Sequence, residues 1–200
     1  MNPLNSVRGV IIGGIVLAFV IALATFGVQW NQPSFMVWIH VMAGITWIGL
    51  LYYFNFVQVP ALAEAASDEG GPGGAGITKY VAPRALWWFR WGAVLTWLSG
   101  AGYLLELGRL HHAFTFGLLQ GGGPADAFIG VGAWLGTIML VNVWALIWPN
   151  QKKILGIVEA SADEIARARK VAFIASRTNT LLSIPMLMSM VGYGHGGFFI

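Results

Sequence analysis

The sequence contains no cysteine. That absence excludes disulfides, thiolate metal ligands and covalent c-type haem attachment. Charge is scarce as well: Lys, Arg, Asp and Glu make up 10% of the 200 residues, against about 25% in soluble domains. Water does not keep so weakly charged a surface solvated, and no stretch is long and polar enough to build a second, soluble domain. No phosphate loop, hydrolase triad or nucleic-acid surface can be read along the chain, and nucleic acid is not expected as a partner.

What the chain has instead is apolar bulk. Hydrophobic residues make up 57%, ten of them tryptophans, and mean hydropathy is +0.70. A lipid bilayer is the natural solvent for such a chain. Crossing its hydrocarbon takes about 20 residues at about 1.5 Å each, and five runs reach that length: 9–30, 35–62, 85–108, 127–149 and 171–193. The expectation is an all-α, polytopic integral membrane bundle of five transmembrane helices, one transmembrane domain over 1–200. Arg8 and the small-residue stretch Ala22-Leu23-Ala24 would suit a signal peptide, but the apolar run continues to Val28, so the first run reads as a retained helix. Pro60 marks the point where the second run gives way to a glycine-rich loop over 63–78, and Gly121 to Pro124 plays the same part before the fourth. Ser161 followed by Glu164 is a capping box. It predicts an amphipathic helix over about 158–175 that runs into the fifth span.

Orientation follows from Lys and Arg. Arg8, Lys79, Arg84, Lys152, Lys153, Arg167, Arg169, Lys170 and Arg177 fall on one side of a five-span chain, and Arg109 alone on the other. Basic loops stay in the cytoplasm, so the N-terminus is placed inside and the C-terminus outside.

All four histidines then lie toward the outer face. His111 and His112 belong to the third-to-fourth loop, and His195 follows the fifth span. His40 sits about 8 Å into the second span. An ionisable residue inside a span is a functional-site candidate by default, with a neutral histidine bonded to a neighbouring helix as the structural alternative. Ala43, Gly44 and Trp47 share its face, leaving space for a flat ligand or a close helix partner. His40 is the first candidate ligand for a cofactor, with His195 and His112 as second ligands. For a metal the pair is His40 and His195. Haem iron accepts His and Met ligands. Met36, Met186 and Met190 open a copper alternative, though methionine also fills gaps in apolar cores. Among the other polar residues, Glu106 and Arg109 are spaced to pair. Asn55, Asn142, Thr178 and Asn179 suit interhelical hydrogen bonds, and Pro185 suits a kink that releases the Leu181 carbonyl. Trp87, Trp88 and Trp91 form an interfacial anchor beside which Arg84 and Arg90 snorkel.

The segment Trp38-Ile39-His40-Val41-Met42-Ala43-Gly44-Ile45-Thr46-Trp47-Ile48-Gly49 resembles the membrane domain of the bacterial membrane-bound urate hydroxylases, the urate oxidase N-terminal domain family. Arg90-Trp91-Gly92-Ala93, with Thr96-Trp97-Leu98-Ser99-Gly100, is similar as well. So is Asn179 to Leu187 with His195 beyond it. Taken with these histidines, the resemblance points to a stand-alone form in the bacterial inner membrane without the cytochrome c domain, binding a b-type haem or another metal near the outer face through His40 and passing electrons to a separate cytochrome c or quinone. Gly92 stands where that pattern expects an acidic residue, and Thr178 where it expects a histidine. Two other readings stay open: a non-catalytic subunit of a larger respiratory, photosynthetic or oxygenase membrane complex, and a copper-handling membrane protein.

Overall fold

The structure is a computed structural model that describes residues 2–196. All of its regular elements are helical, and no strand occurs among the described residues. The chain forms two compact units, 1–32 and 33–200. The first holds α1 (Val7–Phe26), started by Ser6, whose Oγ accepts the Gly9 N–H at 3.0 Å. Arg8 is its one charged residue, and the rest of the helix suits lipid on every side.

The second unit contains α2 (Gln32–Tyr53), α3 (Val59–Ser67), α4 (Ala82–Glu106), α5 (Leu110–Phe114), α6 (Pro124–Val141), α7 (Trp148–Ile154) and α8 (Ala162–His195). A π turn over Phe54–Gln58 joins α2 to α3, and another over Asn142–Ile147 joins α6 to α7. A third, Ile77–Val81, leads into α4. Each π turn ends two residues before a proline: Pro60, Pro83 and Pro149. A proline inside an α-helix lacks an N–H and clashes with the carbonyl four residues back. Widening the preceding turn relieves that clash and lets the helix continue. This corrects the expected break at Pro60, where the helix instead carries on to Ser67.

Among the described residues, four helical stretches are long and apolar enough to cross a membrane: Val7–Thr25, Gln32–Ser67, Pro124–Ile154 and Ala162–His195. The third expected span, α4, has the length at 25 residues but not the apolarity, because Gly, Ser, Thr, Trp and Arg90 interrupt it. The capping box opens α8 as expected, with the Glu164 N–H on Ser161 Oγ and the Ser161 N–H on the Glu164 carboxylate. At 34 residues, α8 is about 51 Å long, well over the roughly 30 Å hydrocarbon thickness. Its polar first turns, with Asp163, Glu164, Arg167, Arg169 and Lys170, carry the surplus.

The core draws on α2, α4, α6 and α8: Trp47, Leu51, Leu86, Phe89, Ala93, Met139 and Met186, with Phe54, Val143 and Ile147 from the π turns. Lipid offers no hydrophobic gain from bringing helices together, so close packing and interhelical hydrogen bonds hold such bundles. Asn55 donates to Ser176 Oγ at 2.8 Å, and Asn142 donates to Asn179 Oδ1 at 2.9 Å. Asn179, wholly buried, donates in turn to the Met139 carbonyl at 3.0 Å. Three of the four polar residues expected in this role fill it; Thr178 is exposed.

Candidate functional site

The seam between α2 and α4 is built from small residues. Gly92, Thr96 and Gly100 recur every four positions along α4, which leaves its backbone open to close approach. A Cβ at Gly92 would stand 3.4 Å from the Trp47 backbone nitrogen and 3.6 Å from the Ala43 carbonyl oxygen. Both are ordinary van der Waals distances, so position 92 faces the α2 backbone directly. Gly44 faces Thr96 in the same way. The α4 side of His40 is thus taken by the partner helix.

His40 itself is fixed by that helix. Its Nδ1 lies 2.8 Å from the Thr96 carbonyl oxygen. A carbonyl only accepts, so in the neutral ring Nδ1 carries the hydrogen and Nε2 keeps its lone pair. Gly100 makes the fit possible: a Cβ on it would lie 2.8 Å from both Cε1 and Nδ1 of the imidazole. His195, exposed on the last turn of α8, has the same arrangement, with Nδ1 3.1 Å from the Val191 carbonyl oxygen.

His111 and His112 lie on the short helix α5, their rings 5.5 Å apart. His111 is exposed, whereas His112 has a buried Nδ1 without a hydrogen-bond partner. Near it stands a pair that sequence spacing misassigned. Arg109 bonds Asp126, not Glu106: its Nε lies 2.8 Å from Oδ1, and its second terminal nitrogen bonds Oδ2. Its remaining terminal nitrogen reaches the Gly121 carbonyl at 3.1 Å. Asp126 is 1% exposed and also takes the Gly123 N–H at 2.9 Å, while Glu106 is exposed. The position of Asp126 in the first turn after Gly123-Pro124 was the available signal, since acids favour helix N-termini.

His40 and His195 are held by separate backbone carbonyls, and no hydrogen bond holds the buried Nδ1 of His112. Among the described residues, no group of three or more His, Asp or Glu side chains converges on a metal position. Met186 lies in the apolar core, and Met190 packs on Gly132, where a Cβ would meet its Cε at 3.0 Å.

Residues 105–199 match the family model for the urate oxidase N-terminal domain. The urate oxidase N-terminal match starts on the last turn of α4. It takes in α5, α6, α7 and α8, and with them Arg109, His112, Asp126, Asn179 and His195. It agrees with the resemblance carried by Asn179 to Leu187 and His195. The helix bearing His40 lies outside it. No curated protein and no solved structure matches the chain.

Proposed function

We propose that this chain is a five-span membrane redox protein, a relative of the urate hydroxylase membrane domain, that holds a b-type haem or another metal through His40. The observation that supports it is the state of that imidazole. Metal-binding histidines almost always donate the second ring N–H to a carbonyl or carboxylate, which fixes ring and tautomer. His40 does this toward Thr96, and His195 does it toward Val191. Each keeps an Nε2 lone pair, so His40 and His195 are the residues that would hold such a group, with His112 as the alternative second ligand.

When bound, a haem supplies one-electron chemistry whose potential depends on axial ligands and their hydrogen bonds. The chain's own residues supply the rest. Thr96 orients the imidazole and raises its basicity, Gly100 keeps space for it, and the Arg109–Asp126 pair ties α5 to the start of α6. With α4 as the third span and the basic loops in the cytoplasm, the His40 end faces outward, where a separate cytochrome c or a quinone takes the electron. The bacterial inner membrane is the setting that fits.

An absorption spectrum of the detergent-purified chain, oxidised and then reduced with dithionite, tests the reading. A Soret band that sharpens its companions on reduction, and disappears in His40→Ala, is expected. A colourless preparation that also lacks metal overturns the reading and puts the accessory-subunit alternative in its place.

A further inference from the structure

At the opposite end of the bundle, Arg90 departs from the expectation that it snorkels. It is 8% exposed. Its guanidinium carbon lies 3.3 Å from the ring centre of Trp148 and 5.9 Å from that of Trp144. Trp91 packs edge-on against Trp144 at 5.4 Å. The cation therefore faces aromatic rings contributed by the π turn Asn142–Ile147 and the start of α7, the first of them backed by Trp91 of α4.

What it lacks is an anion. Of the chain's eight carboxylates, Asp126 is committed to Arg109 and Glu164 to Lys153. Glu64, Asp68, Glu69, Glu106, Glu159 and Asp163 are exposed. Among the described residues, the Arg90 side chain has no hydrogen-bond partner at its buried Nε. Trp144, in contact with it, has a buried Nε1–H that is also unpartnered. Two orphaned donors side by side are the reverse of ordinary practice, since buried polar groups are paired and an uncompensated buried charge is costly. Stacking on Trp148 covers the face of the guanidinium and leaves its in-plane N–H groups as the binding edge. That fork matches phosphate oxygens.

We infer that Arg90 and Trp144 hold the phosphate of an anionic phospholipid. Depth points to the lipid source. Trp87, Trp88 and Trp91 are exposed on the same turns of α4, and such belts mark the headgroup level. Lys152 stands one helical turn beyond Trp148 on α7 and adds a second cation at this end of the helix. The inference rests on the membrane reading and is independent of any redox group.

The test uses the full chain in neutral detergent, with thermal unfolding followed as phosphatidylglycerol, phosphatidylcholine or inorganic phosphate is added. Phosphatidylglycerol raises the wild-type midpoint by several degrees, and the other two leave it in place. Arg90→Gln abolishes the shift, and Trp144→Phe, which keeps the ring but removes the donor, at least halves it. Native mass spectrometry then counts one fewer retained phosphatidylglycerol in Arg90→Gln. Should that variant fail to fold, Arg90→Lys keeps the charge without the fork and retains the lipid at least threefold more weakly. An equal shift in wild type and Trp144→Phe, or retention undiminished in Arg90→Lys, overturns the site; a shift reproduced by inorganic phosphate overturns its assignment to a lipid.

Discussion

Arg109 has two carboxylates within sequence reach, and a double-mutant cycle decides between them. Asp126 is almost wholly enclosed and takes two bonds from the guanidinium plus one from the Gly123 amide. Hydrogen bonds to charged groups contribute about 1.5–3 kcal/mol, and breaking a buried ion pair costs about 3–5 kcal/mol. The Arg109 side chain is 34% exposed, so water recovers part of the loss. Asp126→Ala is therefore expected to cost about 2–3 kcal/mol, with most of the effect already present in Asp126→Asn. Arg109→Met should cost less because the carboxylate retains the Gly123 N–H. Unfolding of the four proteins in mild detergent, followed by circular dichroism, gives the coupling, expected at about 1.5–2.5 kcal/mol for Arg109 with Asp126. The same cycle run with Glu106→Gln should give a coupling near zero. Additive single mutants at Arg109 and Asp126, or a Glu106 coupling above about 1 kcal/mol, would refute the pairing and restore the local one.

Gly100→Ala places a methyl where the His40 ring now sits. It should cost about 1–3 kcal/mol by overpacking and detach Nδ1 from Thr96; an unchanged melting midpoint together with an unchanged imidazole nitrogen NMR signal counts against the geometry. Glu164, on the polar turns ahead of the apolar part of α8, has its carboxyl pulled from 4.5 down to about 2 by the Ser161 N–H first and Lys153 second. A depressed folded value means that the contribution is complete above pH 4.5 and drains away as pH falls through about 2. The Ser161 amide resonance should titrate across that window and stay flat in Glu164→Gln. A midpoint near 4.5 would show that the cap does not form.

Helices and their lipid-facing character are legible because apolar runs of about 20 residues have the length of a helix that crosses the hydrocarbon and satisfies its own backbone. The same holds for Asn55, Asn142 and Asn179, since an amide inside a span has few uses besides bridging helices. The capping box is legible because it is local. Asp126 is not, because a three-residue spacing offered Arg109 a nearer acid and only the return of the chain through Gly121–Gly123 brings the true partner in. Arg90 misleads for a related reason: the length of its side chain suggests escape to the interface, while two tryptophans more than fifty residues away supply a face to stack on. At the candidate site, the histidine and its small neighbours were visible. The Thr96 carbonyl that selects which ring nitrogen stays available was not, because backbone acceptors carry no residue code.

The three π turns ahead of Pro60, Pro83 and Pro149 make chain length a regulated quantity within the rods. Such a turn stores about one residue beyond an α turn, and each residue advances the helix by about 100°. The segments on either side of it are therefore out of phase, and a single rod shows different faces at its two ends. Trp144 and Trp148 reach Arg90 from such a rephased segment. A one-residue deletion inside Asn142–Ile147 would rotate everything beyond it and turn Trp148 from the guanidinium, although no contacting side chain had been altered. Substitutions in these turns should be tolerated far more readily than changes of length.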